Sequence, residues 1–143
     1  MEQQNFQNHT QTVKGYLALL AVTLLSMIGS GVNLYQSWGN HERIYSASLL
    51  VVLMWIVLFV ALYARTFALK AQDRGIRAEE NLRHFVLTGK LLDPRLTIQQ
   101  VIGLRFASDA EFVELAKKAA ETGMAMKDIK QAVKNWRGDY YRV

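Results

Sequence analysis

The sequence predicts an all-α membrane protein: a two-helix transmembrane hairpin, a second helix that continues into a cytosolic stalk, and a small helical C-terminal module. Three observations lead there. Residues 16–37 and 45–69 are apolar over lengths that match a bilayer core, which takes about 20 residues of helix to cross. Residues 70–88 then carry charge at helical spacing, with no proline or loop signal to separate them from the second apolar run. Beyond Pro94, apolar residues recur with helical period after capping-box signatures.

Residues 1–14 read as a polar cytosolic tail. Between Tyr16 and Asn33 no side chain can charge at neutral pH, whereas a soluble helix of that length would show a charged stripe. The run is longer than a signal-peptide core and lacks a small-residue cleavage site after a basic start, so it reads as a retained span. Thr23, Ser26, Ser30 and Asn33 fall at i, i+3, i+7 and i+10, and Gly29 widens the stripe. Small polar residues let helices approach and hydrogen-bond within lipid, so this face is expected to pack on a helix. Either its hairpin partner or another subunit can provide it.

The linker 38–44 holds one arginine offset by one glutamate, whereas Arg65, Lys70, Arg74, Arg77 and Arg83 follow the second apolar run. The basic excess marks the cytoplasmic side, which places both ends of the chain inside and only the linker outside. In the second span Ala61, Ala64 and Ala68 form a smooth strip, and Trp55 sits near mid-membrane, facing either a neighbouring helix or lipid. Tyr16, Tyr35, Trp38 and Tyr45 suit interfacial anchors, and Arg65 can snorkel to the headgroups.

In the stalk, 71–92, the pairs Asp73/Arg77, Glu79/Arg83 and Glu80/His84 lie at i, i+4 with the acid first, the favourable order. They predict one continuous helix over 45–88, capped by Gly89, with Asp93 and Pro94 in the following turn and Gly75 as a point where it could bend. Ala71, Gly75, Ala78, Leu82 and Phe85 make a narrow apolar seam that needs a cover. The chain's own module is expected to supply it at the 82–92 end.

The module, 93–143, reads as three helices. Thr97 with Gln100 and Ser108 with Glu111 are capping boxes, and Gly123 closes the second helix. Ile98, Val101 and Ile102 lead to Leu104 and Phe106; Phe112, Leu115, Ala116 and Ala119 form the second face; Ile129, Val133 and Trp136 form the third. Lys127, Lys130, Lys134 and Arg137 fall in one stripe of the last helix. With Arg65, Lys70 and Arg74 they are candidate contacts for lipid headgroups or other anions. Nucleic acid is a poor fit, since neither interleaved aromatics nor a reading helix accompanies the charge.

The composition offers little for catalysis. The 143 residues are 51% hydrophobic with a net charge of +5, and cysteine is absent, which excludes disulfides and thiolate chemistry. His9, His41 and His84 fall on tail, linker and stalk, so no metal or cofactor site is predicted. No phosphate loop or nucleophile elbow appears, and no small-molecule substrate is inferred.

The strings at 77–85, 88–90, 93–97, 104–109 and 134–137 occur in an order that resembles an uncharacterised family of small two-span bacterial membrane proteins, over nearly the whole chain. The resemblance implies the hairpin-and-module architecture and a bacterial inner membrane, but no activity. It draws attention to Arg77, Glu79, Glu80, Asn81, Arg83, His84, Arg105, Asp109, Trp136 and Arg137. The expectation is a non-enzymatic, membrane-anchored interaction module, an accessory or structural subunit that binds membrane lipids and a protein partner or a second copy. The alternative is a peripheral lipid- or envelope-sensing protein that uses the basic last helix.

Overall fold

The computed structural model describes residues 4–10 and 12–140; the extremities of the expected tail and module, 1–3 and 141–143, lie outside the described residues, as does position 11. The described residues form five helices in order: α1 (Lys14–Gln36), α2 (His41–Thr88), α3 (Ile98–Leu104), α4 (Asp109–Thr122) and α5 (Met126–Ala132). Among the described residues there is no β-strand, only an isolated antiparallel bridge between Ala107 and Trp136. Two compact units emerge. One is the hairpin, Thr12–Ala68; the other unites Leu69–Val143 with the N-terminal residues Met1–Gln11.

In the hairpin unit, the connection is shorter than expected. Gly39 takes a left-handed φ of 88°, and the Asn40 side-chain oxygen accepts from the amides of Glu42 (3.1 Å) and Arg43 (3.3 Å). This asparagine cap starts α2 four residues before the apolar run begins, satisfying amides that have no partner within the helix. Both α1 and α2 are long and apolar enough to cross a membrane.

The positions of α1 withdrawn from solvent are Tyr16, Leu20, Thr23, Met27, Ser30, Leu34 and Ser37; those of α2 within this unit are Ile44, Ala47, Ser48, Val51, Met54, Leu58, Ala61, Arg65 and Ala68. Except for Ser48, these steps alternate between three and four residues, the period of helices packed along a seam. The Arg65 guanidinium lies 5.7 Å from the centre of the Tyr16 ring.

The residues of the expected polar stripe divide in the single chain: Thr23 and Ser30 lie on the protected face, while Ser26, Gly29 and Asn33 are exposed. Thr23 and Ser30 turn their hydroxyls onto the carbonyls of Leu19 and Met27, both at 2.8 Å, and so enter the seam without an unpaired donor. Ala64 likewise points outward, away from Ala61 and Ala68. Trp55 is 48% exposed and lies 5.9 Å from Phe59, centre to centre.

In the second unit α2 continues through Gly75 without interruption and ends where Gly89, at φ 72°, donates to the Phe85 carbonyl over 2.7 Å. Asp93 and Arg95 then form an exposed ion pair of 2.7 Å, and this guanidinium holds the Asp93 carboxyl down at about 2. Both expected capping boxes are formed, at Thr97/Gln100 and Ser108/Glu111, and Gly123 closes α4 with φ 64°. The core gathers Leu96, Val101, Leu104, Phe112 and Ile129, and Ile76 of α2 joins it. Full burial of side chains this size stabilises by about 1.5–3 kcal/mol each. A module of this size has a small core of its own, so the residue borrowed from α2 matters.

The last helix differs from expectation. It stops at Ala132, and Val133 is already extended. The Ser108 amide donates to the Asn135 carbonyl (3.1 Å) and the Arg137 amide to the Phe106 carbonyl (2.8 Å), bonds that replace those of a longer helix. Trp136 leaves the helix but packs 4.9 Å from Phe106. Consequently Lys127 and Lys130 lie on α5 while Lys134 and Arg137 do not, and the single basic helical stripe dissolves.

Gly103 marks the closest approach of α3 to α5: a Cβ there would sit 3.2 Å from Ile129 Cγ2 and from the Met126 carbonyl. Gly103→Val should separate these helices and destabilise the module by about 1–3 kcal/mol, the cost of overpacking. Hydrogen exchange of the full chain in detergent should then accelerate in α3 and α5, leaving the hairpin unchanged.

Candidate functional site

A polar cluster joins the end of α2 to the module. Arg83 is its centre, with a side chain only 10% exposed. Its Nη1 donates to Glu80 Oε2 over 3.0 Å, its Nε to Asp109 Oδ1 over 2.7 Å, and its Nη2 to the Ala107 carbonyl over 2.7 Å. Nη2 also lies 2.6 Å from Asp109 Oδ1, and the guanidinium carbon stands 4.2 Å from the Phe112 ring centre. A planar fork of donors over an aromatic face suits arginine and not lysine. Glu80, buried on α2, also has Arg137 Nη1 3.7 Å from its second oxygen.

The pairing inferred along the stalk is therefore different in the structure. Arg83 turns to Glu80 and Asp109, not to Glu79, because the module brings Asp109 and a free carbonyl to that flank. His84 turns from Glu80 to the turn beyond the helix, where Nδ1 donates to the Lys90 carbonyl at 2.7 Å. Asn81 receives the Leu92 amide at 3.2 Å. Together Asn81 and His84 fasten the segment that leaves the helix. Arg77 and Glu79 remain exposed.

A second cluster holds the N-terminal tail on the module, a contact not expected from residue pattern. Gln4 is buried; its amide donates to the Asp139 carbonyl (3.1 Å) and accepts from the Asp139 amide (2.8 Å), so the side chain acts as a short piece of ladder. The His9 ring meets Phe106 and Trp136, each with centres 5.6 Å apart. Lys130 Nζ donates to His9 Nε2 over 3.2 Å, while Nδ1 donates to the Phe6 carbonyl over 2.8 Å. Arg105, buried, pairs with Asp139 at 3.1 Å. Lys130 thus serves the tail and the Phe106 ring, rather than standing free on a surface. No periodicity can mark so short a segment of coil; the only signal was the presence of Gln4 and His9 in it.

Glu111 was legible as a cap but does more. Its carboxylate accepts the Ser108 amide at 3.4 Å and also the amides of Lys134 (3.1 Å) and Asn135 (2.9 Å), tying the start of α4 to the chain after α5. Burial raises its pKa, but the amides of Asn135, Lys134 and Ser108 lower it by more, so it rests below the ordinary glutamate value. Among the described residues no group of three or more His, Cys, Asp or Glu is placed to hold a metal ion.

The family of unknown function designated DUF6526 matches residues 1–143. The chain belongs to that family. Comparison with curated proteins and with solved structures gives no match. Within this chain the described residues form two polar clusters, one securing α2 and the other the tail.

Two outcomes follow. Replacing Arg83 by Met leaves the buried Glu80 carboxylate without its main partner and should cost about 3 kcal/mol; R83M combined with Glu80→Gln should recover part of it, measured by protease resistance of the module. Because the Glu111 pKa is depressed on folding, its stabilisation is complete above the ordinary glutamate value and is lost as pH falls through the lower folded value. Protection factors of the Lys134 and Asn135 amides, exchange rates corrected for their intrinsic pH dependence, should therefore fall on acidification in the native chain, and E111Q should abolish that fall.

Proposed function

We propose that this protein is a non-enzymatic interaction module anchored in the bacterial inner membrane by two spans, an accessory or structural subunit of a larger membrane assembly. The observation that carries this is α2, which is at once an apolar span candidate and, in residues 76–84, a wall of the folded module. Outward-facing Leu25, Ile28, Val60 and Phe67 are each more than 60% exposed, an apolar surface that suits lipid and is larger than soluble monomers tolerate.

Gln4 and Asp139 are bonded to each other, so tail and module share one side of any membrane, as two spans require. The basic residues after Ala64 favour the cytoplasm for that side. Exposed Ser26, Gly29 and Asn33 give the outer face of α1 small and polar groups of the kind that attract other helices in lipid. Lipid sensing through a basic last helix loses its motivation, because the four basic residues do not share a helix.

The chain has no cysteine, so single substitutions can report orientation cleanly. In intact cells H41C should react with a membrane-impermeant maleimide, and K118C should react only after lysis. Purification at native expression in mild detergent should yield a stoichiometric companion or a self-associated form; a solitary monomer would sink the proposal.

A further inference from the structure

The apolar seam on the cytosolic part of α2 remains uncovered. Ala71, Gly75, Ala78, Leu82 and Phe85 are all exposed, Leu82 by 63% and Phe85 by 51%. The module instead occupies the opposite flank, where Ile76, Glu80 and Arg83 are buried or nearly so. The expected cover from the chain's own module is thus absent. Its location is explained by the Arg83 cluster, which commits the module to the far side.

We infer that this seam is a parallel, two-fold contact with a second copy of the same chain. Its steps alternate between four and three residues, the spacing that keeps one helical edge on a partner. Ala71, Gly75 and Ala78 permit close axes, and Leu82 and Phe85 supply bulk beyond them. The flanking charges choose the partner and its direction.

Arg74 precedes the seam position Gly75, and Glu79 follows Ala78, so in a parallel in-register pair Arg74 meets Glu79 of the second copy, once on each side of the axis. An antiparallel pair sets like flanks together and never brings these two into contact. Both residues are exposed, and among the described residues neither takes part in an ion pair within the chain. With the module on the outer flank, the seam is open to this approach.

The inference rests on the membrane-anchored reading, since anchoring in one bilayer holds the copies parallel and concentrated. The test is oxidative crosslinking in native membranes with single-cysteine forms of the full chain. A78C and L82C, on the seam, should form disulfide dimers about tenfold more efficiently than K70C and R77C, on the flank away from it. In the L82C background, R74E alone and E79R alone should each lower dimer yield about tenfold through like-charge contacts, and the two together should restore it. Equal yields at seam and flank positions, or no rescue by the double reversal, overturn the parallel pairing. A monomer that co-purifies with a different protein overturns the self-contact while leaving the interaction-module proposal standing; a monomer with no companion overturns both.

Discussion

Everything in the unit that carries the module depends on one buried carboxylate and its counter-charge. Glu80 lies on α2 where the module closes, and a carboxylate removed from water there demands a fixed counter-charge. Arg83, one turn later, provides it and spends its remaining donors on Asp109 and the Ala107 carbonyl. One guanidinium therefore sets the distance and register between a long helix and the α3–α4 corner. The hydrophobic contacts around Ile76 add stability at that same place, but they carry no comparable directional demand.

The module is small, and its solution is to borrow. It takes Ile76 from α2 and aromatic and hydrogen-bonding contacts from Gln4 and His9, while its own Glu111 carboxylate serves two segments. The core shared by three seven- to fourteen-residue helices is extended by these additions. The short α5 fits this arrangement: the chain after Ala132 bonds to Phe106, Ser108 and Glu111, and extending the helix would break those bonds.

Local chemistry made much of this legible in advance. The apolar runs, the uninterrupted α2, the capping boxes at Thr97 and Ser108, and the glycine stops at Gly89 and Gly123 all depend on neighbours within a few residues. Contacts between distant residues were less accessible. The α1 stripe was split because a two-helix seam follows its own alternating period, which takes Thr23 and Ser30 but leaves Ser26 and Asn33 outside. Glu80 could pair with His84 by spacing alone, and only the arrival of Asp109 makes Arg83 the preferred partner. The basic stripe failed for the same reason, since Trp136 is drawn to Phe106 and His9, 121 residues before Lys130 in the case of the histidine.

The clasp between Gln4 and Asp139 has a consequence for biosynthesis. These residues are 135 positions apart, so the ribosome releases one end of the clasp long before the other exists. Both apolar runs and most of the module must emerge first. During that interval Phe106 and Trp136 have no tail against them, and contacts of such sequence separation form late. Closure of the tail is therefore a structural record that the intervening chain has been made and that its two ends have met.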